Sequence, residues 1–236
     1  MQRIYIPGFV YAIEYIINDK HILHQLIKVL KVRVDDTIVF FDGETPTDYL
    51  YRIKHIEKKE IVFEFVYGIQ KNKFSRSITL FQALPNKYNK MEYILQKGVE
   101  VGVQKFCFFR SERSQKLHIS DHKRERFEQI IKEAVEQSDR NDIPQLIFME
   151  EGFGELHNDG YNLIFHTKDD TNKRLNELTF LDKDKPVQIF VGPEGGWSTH
   201  EVVAFQEAGC IGVHLGENIL RTETVGVVTT FYLNQM

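Results

Sequence analysis

Ile189-Phe-Val-Gly-Pro-Glu-Gly-Gly-Trp197 is an apolar run that opens into a glycine-rich loop. Ser198 and Glu201 follow at the S/T-x-x-E spacing of a capping box, which predicts that a helix starts there. A strand, a loop and a helix in this order form the repeating unit of α/β folds, whose ligands bind at the carboxyl ends of the strands. Glycine lets the backbone come close to a ligand, and Pro193 stiffens the loop. The stretch therefore predicts an α/β fold with a binding loop at Gly192–Gly196.

Strands alternate with helices from Ile78 to the end of the sequence. The predicted strands are Ile78–Leu84, Lys105–Phe109, Gln145–Met149, Asn162–His166, Val187–Val191 and Ile211–Leu215. The predicted helices begin near Asn89, span His122–Gln137, run from the Ser198 cap to before Gly209, and begin again near Thr224. Strands separated by helices predict a largely parallel sheet that is covered on both faces.

The earlier part of the chain has a different pattern. Between Tyr5 and Val66, short β-rich runs are separated by turn signals such as Asp42-Gly43, and one helix is predicted near Lys20–Leu30. A polar break at residues 70–73 separates the two patterns. We therefore predict a small barrel or sheet domain at residues 1–72 and an α/β domain at residues 73–236.

The composition is that of an ordinary globular protein. Hydrophobic residues make up 42% of the chain and charged residues 27%, which excludes global disorder. Cys107 and Cys210 form no C-x-x-C pair, so we expect two small buried residues rather than a disulfide framework or a zinc site. No apolar window approaches the roughly 18 residues of a membrane span, and no signal-peptide pattern is present. We expect a soluble, cytoplasmic protein with no membrane association.

Basic residues concentrate in the middle of the chain. The net charge is −4, yet residues 73–145 carry 14 basic and 10 acidic side chains, whereas residues 146–236 carry 6 and 14. Cations gathered on one face of the fold would form a surface that binds phosphates, as in nucleic-acid-binding proteins. The alternative is an ordinary solvated helix surface, and the charge count leaves both open.

A second polar loop, Leu215–Thr224, also follows a predicted strand and precedes a predicted helix. Arg221, Thr222, Glu223 and Thr224 place a cation, two hydroxyls and a carboxylate within one turn. Helix capping by Thr222 or Thr224 would explain a hydroxyl, but it does not explain Arg221 and Glu223 together. Two polar loops at strand ends can converge on one pocket.

Several common sites are excluded by spacing. Neither the dinucleotide fingerprint nor the Walker A motif can be written through Gly192–Gly196, and no nucleophile elbow follows it. A tight turn without a ligand is the alternative for this loop taken alone. The pairs His21/His24 and His118/His122 lack a nearby third ligand, so we predict no metal site.

Val191-Gly-Pro-Glu-Gly-Gly196 and Leu215-Gly-x-x-Ile-Leu-Arg-Thr-Glu-Thr224 together resemble the signature of the ribosomal RNA small subunit methyltransferase E family. Either loop alone is a weak signal, whereas both in this order, with further motifs upstream, are specific. The other family-like positions are Arg3-Ile-Tyr, His24, Val29-Leu30, Phe41-Asp42-Gly43, Lys90-Met91-Glu92, Gln96-Lys97, Glu100-x-Gly102-Val103, Ser111-Glu112-Arg113, Glu136-Gln137 and Arg140-Asn141.

The resemblance implies a SPOUT-class methyltransferase: a trefoil-knotted C-terminal α/β domain that binds S-adenosylmethionine, and an N-terminal PUA-like β-barrel that helps to hold RNA. It implies a homodimer that methylates N3 of a specific uridine in 16S rRNA of the small ribosomal subunit. The implied cofactor-binding residues are His166, Gly192, Pro193, Glu194, Gly195, Gly196, Leu215, Gly216, Ile219, Leu220, Thr222 and Thr224.

Arg221 is the candidate for stabilising the negative charge that uracil gains when N3 loses its proton. Glu223 is a general base, an orienter of Arg221, or a carboxylate favoured by the helix dipole. The candidate RNA contacts are Arg3, Lys90, Arg113 and Arg140, and an ordinary surface cation is the alternative for the last three. Three other functions stay open: a SPOUT-fold methyltransferase for another RNA, a non-catalytic RNA-binding factor in ribosome assembly, and a small-molecule nucleotide enzyme.

Overall fold

The structure, a computed structural model, describes residues 1–71, 76–149, 152, 154–166 and 172–236. The chain divides into two compact units. The first unit comprises Met1–Lys73 together with Val135–Ile143, and the second comprises Phe74–Ala134 and Pro144–Met236. The boundary predicted between residues 72 and 73 falls on residues outside the described part of the chain. Residues 135–143, which the sequence pattern assigns to the second domain, group with the first unit.

Five strands form the sheet of the first unit. They are β1 (Gln2–Tyr5), β2 (Glu14–Ile17), β3 (Thr37–Phe41), β4 (Thr47–Ile56) and β5 (Ile61–Gln70). The strand order is β1-β3-β4-β5-β2, and all neighbours are antiparallel except β1 and β3. The predicted turn at Asp42-Gly43 is present, because the Asp42 carboxylate accepts two backbone N–H groups and Gly43 takes a φ of 79°.

A short helix, α1 (Lys20–His24), packs on this sheet. Asp19 caps its first backbone N–H groups, and the helix continues as a π-helical turn over Gln25–Val29. The helix predicted near Lys20–Leu30 is therefore confirmed, with a wider final turn. Leu26 is completely buried and joins the hydrophobic core of the unit.

A buried ion-pair network in this unit surrounds Arg3. Its guanidinium pairs with Asp48, whose side chain is 1% exposed, and with Asp139 at 2.8 Å. It also donates to the carbonyl of Arg140 at 2.8 Å. Lys71 pairs with both carboxylates of the network. The network thus holds the turn at residues 135–143 against β1 and β4.

Arg3 and Arg140 have surroundings that differ from those expected of RNA contacts. Only 7% of Arg3 and 5% of Arg140 is exposed. The guanidinium of Arg140 pairs with Asp142, as that of Arg3 pairs with Asp48. A cation that meets a phosphate at the surface needs free N–H groups there, whereas these two are compensated by carboxylates inside the unit. The structure gives both residues a role in holding the first unit together.

Seven strands form the sheet of the second unit. They are β6 (Ile78–Ala83), β7 (Lys105–Phe109), β8 (Gln145–Phe148), β9 (Tyr161–Phe165), β10 (Lys173–Arg174), β11 (Val187–Val191) and β12 (Ile211–His214). The order is β10-β12-β9-β11-β6-β7-β8, and every neighbouring pair is parallel. The predicted α/β class and parallel sheet are confirmed. The trefoil knot, and closure of the first sheet into a barrel, stay predictions.

Each predicted strand of this sheet is present and agrees to within one residue at either end. Strand β10 has no counterpart among the predictions, because two adjacent charged residues carry no strand pattern. A 3₁₀ turn over Leu175–Glu177 follows it and is likewise absent from the predictions.

The helices of this part of the chain are α2 (Tyr88–Val101), α3 (Asp121–Gln137), α4 (Thr199–Glu207) and α5 (Thr222–Leu233). The capping box predicted before α4 is confirmed: the Ser198 hydroxyl accepts the N–H of Glu201, and the Glu201 carboxylate accepts the N–H of Ser198. Helix α5 packs closely on β6, because a Cβ at Gly226 would lie 2.8 Å from the side chain of Leu80.

Since all strands of this sheet are parallel, their carboxyl ends lie along one edge. Strand β9 lies between β11 and β12, so the Gly192–Gly196 loop after β11 and the Leu215–Arg221 loop after β12 leave the same edge on either side of β9. The two loops singled out by sequence are thereby close in space.

Replacing Arg3 with alanine tests the buried network of the first unit. We expect the Arg3→Ala variant to lose about 3 kcal/mol of unfolding free energy, because the buried carboxylate of Asp48 loses its principal partner. Urea unfolding followed by circular dichroism measures the change. Arg52→Ala, an exposed arginine in β4 of the same unit, is the control and should change stability by less than about 0.5 kcal/mol. Equal stability of the two variants would contradict a structural role for Arg3.

Candidate functional site

A cavity of about 800 Å³ opens at the carboxyl edge of the parallel sheet in the second unit. The predicted cofactor-binding residues that line it are His166, Gly192, Pro193, Glu194, Gly195, Gly196, Leu215, Gly216, Ile219, Leu220 and Thr222. Lys90, Arg113, Arg221 and Glu223 line the same cavity, whereas Thr224 does not. The structure therefore brings together every predicted site residue of this unit except Thr224, whose N–H bonds to the carbonyl of Arg221 in the first turn of α5.

Thr222 joins the two glycine loops. Its hydroxyl donates to the carbonyl oxygen of Gly192 at 2.5 Å and accepts from the side-chain amide of Gln82 at 2.9 Å. Arg221 is the N-cap residue of α5 and makes no side-chain capping bond. The hydroxyl of Thr222 therefore links the loop after β12 to the loop after β11 and to β6, and the helix-capping alternative is wrong for this residue.

The loop after β11 folds back on Trp197. The indole N–H donates to the carbonyl of Phe165, the last residue of β9, at 3.0 Å. The ring lies against Gly192, where a Cβ would come within 3.2 Å of the indole. Gly196 takes a φ of 67°, which is strained for a residue with a side chain. The loop thus needs glycine at these two positions for different reasons, one for close packing and one for backbone conformation.

Arg113 reaches the cavity from the loop after β7. Its guanidinium donates to the carbonyl of Gly195 at 3.1 Å, and a Cβ at Gly195 would lie 3.3 Å from the Cβ of Arg113. The residue is exposed, and this is the one hydrogen bond of its side chain to the described residues. Its other N–H groups can therefore bind an anion that enters the cavity.

Lys90 joins two carboxylates at the cavity wall. Its ammonium lies 2.6 Å from Glu194 and 3.8 Å from Glu223. The backbone N–H of Asn86 also donates to Glu194, at 3.1 Å. Burial raises the pKa of Glu194, but the hydrogen bonds from Lys90 and Asn86 outweigh it, so the pKa lies below the ordinary carboxyl value. Glu194 is therefore ionised at neutral pH and holds Lys90 in place.

Arg221 and Glu223 lie at the start of α5 and differ in exposure. The Arg221 side chain is 84% exposed, and its guanidinium is 4.0 Å from the carboxylate of Glu223. The Glu223 side chain is 13% exposed, and its Oε2 is buried without a hydrogen-bond donor among the described residues. A carboxylate oxygen in this position has spare capacity to accept a proton or a hydrogen bond from a ligand. The site thus combines a solvent-facing cation with a partly buried potential base.

Sequence reasoning missed Gln82 and Asn172. Gln82 is 1% exposed in β6, and a buried amide in a mostly apolar strand is the signal that would have indicated a hydrogen-bonding role. Asn172 lines the cavity and donates to the carbonyl of His166 at 2.7 Å. No pattern in the sequence around Asn172 predicts that contact.

The chain is similar to known proteins over most of its length. Residues 72–234 match the family model described as RNA methyltransferase domain. The chain is 32% identical to the ribosomal RNA small subunit methyltransferase E of Buchnera aphidicola subsp. Acyrthosiphon pisum, over 94% of this chain and 88% of that protein. The chain belongs to the ribosomal RNA small subunit methyltransferase E family.

Other family members are similar over most of their length. The Bacillus subtilis ribosomal RNA small subunit methyltransferase E is 29% identical, over 86% of this chain and 82% of that protein. The crystal structure of the Neisseria gonorrhoeae ribosomal RNA small subunit methyltransferase E bound to S-adenosyl methionine matches 100% of this chain and 97% of that one, with a TM-score of 0.87 and 28% identity. The resemblance drawn from the two loops is confirmed for both the family and the fold.

Two other features, a membrane-spanning helix and a metal centre, have no candidate among the described residues. None of the helices in the described ranges has the length and apolar character needed to cross a bilayer. Histidine, cysteine, aspartate and glutamate side chains in those ranges form no group of three or more that could hold a metal ion.

Substitution of Thr222 tests whether its hydroxyl organises the loops. We expect Thr222→Val to lose about 1–3 kcal/mol of unfolding free energy, because the Gly192 carbonyl and the Gln82 amide lose a partner while the side-chain shape is kept. Hydrogen exchange should also become faster at the amides of Gly192–Gly196. Thr222→Ser retains the hydroxyl and is the matched control. If the valine variant matched the serine variant in both measurements, the hydroxyl would not be holding the loops.

Proposed function

We propose that this protein transfers a methyl group from S-adenosylmethionine to N3 of a specific uridine in 16S rRNA of the small ribosomal subunit. The observation that carries the proposal is the single cavity built from both glycine loops, with Arg221 and Glu223 in its wall. Membership of the ribosomal RNA small subunit methyltransferase E family supplies the class of reaction and of substrate.

The residues around the cavity fit S-adenosylmethionine. Its volume of about 800 Å³ lies within the range of small-molecule sites. No described atom lies within 4 Å of where a Cβ would stand at Gly196 or Gly216, so a ligand can reach the backbone there, and Gly216 has a φ of 114° that few other residues adopt. Leu215 and Leu220 add apolar surface for the adenine ring. When bound, the cofactor supplies a methyl group on a positively charged sulfur.

Uracil N3 must lose its proton to become a nucleophile, and the negative charge then spreads to its two carbonyl oxygens. Arg221 is proposed to stabilise that charge, because its guanidinium is exposed beside the cavity and can turn toward either oxygen. Glu223 is proposed to accept the N3 proton at Oε2, which has no hydrogen-bond donor among the described residues and lies 3.8 Å from the Lys90 ammonium. Holding donor and acceptor in line supplies much of the remaining acceleration.

The proposed RNA contacts at the cavity are Arg113 and Lys90. Arg113 is exposed and has N–H groups that bond to none of the described residues. Lys90 is 20% exposed and its ammonium is paired with Glu194 and Glu223, so it is the weaker of the two proposed contacts. Arg3 and Arg140 are not carried into this proposal, because both are buried and paired with carboxylates.

This proposal also includes three expectations that come from the family resemblance. The second unit is knotted, the first unit is a PUA-like domain, and the first unit helps to hold the RNA.

We also propose that the protein is a homodimer. Large apolar side chains are exposed on two helices that pack against each other, with Tyr93 of α2 at 42%, Val228 of α5 at 40% and Phe231 of α5 at 56%. A twofold interface would bury them. Light scattering after size exclusion should give about twice the chain mass of 27.8 kDa, and a monomer would contradict this part of the proposal.

Labelled S-adenosylmethionine and small ribosomal subunits that lack their native modification test the activity. Nucleoside analysis of the RNA should recover the label as 3-methyluridine. Label recovered in another nucleoside would show that the methylated atom is not N3 of a uridine. Binding of S-adenosylmethionine and rRNA without any transfer would favour a non-catalytic RNA-binding factor in ribosome assembly.

Variants of Arg221 and Glu223 test the assigned roles. We expect Arg221→Ala to lower kcat about 10²–10³-fold with little change in S-adenosylmethionine affinity, since its contact forms as charge develops. Arg221→Lys keeps the charge and should retain more activity.

Glu223→Gln keeps the side-chain shape but removes the proposed proton acceptor, so we expect kcat to fall about 10²–10⁴-fold with the affinity for S-adenosylmethionine unchanged. An unchanged kcat for Glu223→Gln would contradict the role of Glu223 as the base.

A further inference from the structure

A second cavity, of about 360 Å³, lies at the carboxyl ends of β6, β7 and β8 in the second unit. Three cations line it: Arg110 after β7, Lys116 in the following loop, and Arg124 in α3. All three are exposed, and none of them forms an ion pair with another described residue. The lining given by the described residues contains no carboxylate.

The floor of this second cavity is apolar and aromatic. The guanidinium of Arg124 lies 4.6 Å from the centre of the Phe148 ring, and Phe148 stacks on the buried Phe108 at 5.7 Å. The other apolar residues of the lining are Leu84, Leu117, Ile119 and Met149. Three cations that pair with no described carboxylate surround a flat aromatic and guanidinium surface. This arrangement suits a nucleotide, because its phosphate binds arginine and lysine while its base stacks on planar groups.

One loop connects the two cavities. Arg113 faces the first cavity and bonds to Gly195, while Lys116, three residues later, lines the second. The Tyr88 hydroxyl, at the start of α2, anchors this loop by donating to the carbonyl of His118 at 2.6 Å. The ammonium of Lys123 lies 4.4 Å from the ring of the same tyrosine and adds a fourth cation beside the loop. The basic side chains thus continue from the active site to the second cavity.

The strand order sets the distance between the cavities. The first cavity lies at the β9–β11 pair and the second at the β7–β8 pair. Three strand spacings separate the midpoints of these two pairs in the sheet. At about 4.8 Å per spacing this is roughly 15 Å along one edge of the sheet. An unpaired RNA strand that crosses this edge would span the gap with a few nucleotides.

We infer that the second cavity binds an unpaired nucleotide of the rRNA strand a few positions from the methylated uridine, with its phosphate on Arg110, Lys116 and Arg124 and its base on the Arg124–Phe148 surface. The inference rests on the proposed function and assigns part of its substrate specificity. Two cavities that each hold one nucleotide would fix the direction and register of the strand, so that one uridine is presented for reaction.

Single substitutions test this site against a matched control. Lys116→Ala and Arg124→Ala each remove a cation from the cavity, whereas Arg126→Ala removes an exposed arginine from the same helix, two positions away and outside the lining. The measurements are the affinity for a labelled single-stranded RNA that carries the target region, at several salt concentrations, and the affinity for S-adenosylmethionine. The latter shows that each variant is folded.

We expect each cavity variant to bind the RNA about 3–10-fold more weakly and to reduce the salt slope by about 0.7, the value for loss of one phosphate contact to a single strand. Arg126→Ala should match the wild type, and S-adenosylmethionine affinity should be unchanged in all three. In the transfer assay, KM for RNA should rise with kcat unchanged. RNA affinities of Lys116→Ala and Arg124→Ala equal to that of Arg126→Ala would overturn the inference.

The outcome is distinguishable from failure of the proposed function. If the wild type transfers no methyl group to rRNA, the function fails, while the RNA-binding comparison still reports on the second cavity. If the wild type is active and the variants behave like the control, the second cavity is not an RNA site. Weaker binding to intact small subunits, with unchanged affinity for the RNA alone, would also overturn the inference and point to an acidic protein segment as the occupant.

Discussion

The site depends on one hydrogen-bonded link, in which the Thr222 hydroxyl lies between the Gly192 carbonyl and the Gln82 amide. The three residues belong to the end of β11, the buried strand β6 and the start of α5. A hydroxyl can donate once and accept at the same time, which is why a single small side chain holds both neighbours. Because the link is buried, leaving either partner unbonded costs more free energy than it would in water.

This link places the functional groups of both loops around one volume. Thr222 is held against Gly192, so its neighbours Arg221 and Glu223 lie at the cavity, and Lys90 connects Glu223 to Glu194 in the other loop. The glycines then decide how close a ligand comes to the backbone. The same parallel sheet extends sideways to β7 and β8, where the second basic cavity lies along the shared edge.

The sequence was sufficient to predict elements whose signals are local. The strand Val187–Val191, the Ser198–Glu201 capping box and the amphipathic face of α3 follow from spacing within a few residues, and the structure contains all three. The order of the two glycine loops also identified the family, because the motifs carry their own spacing.

Features that depend on distant partners could not be predicted. Arg3 and Arg140 resemble surface cations in the sequence. Only the fold brings Asp48 and Asp139 to Arg3, and only the fold buries Arg140, whose partner Asp142 is a near neighbour in the chain. Gln82 and Thr222 are 140 positions apart, so no local pattern links them. The assignment of residues 135–143 to the first unit has the same cause, since it rests on contacts with strands more than 80 positions earlier in the chain.

Titration of the ¹⁵N-labelled protein with S-adenosylmethionine, followed through the backbone amide resonances, tests whether the two linked glycine loops form the cofactor site. We expect the amides of Gly192, Gly195, Gly196 and Gly216 to shift together at one dissociation constant, while those of the strands in the first unit do not shift. Saturable binding that leaves these four glycines unperturbed would contradict the claim that the linked glycine loops form the cofactor site.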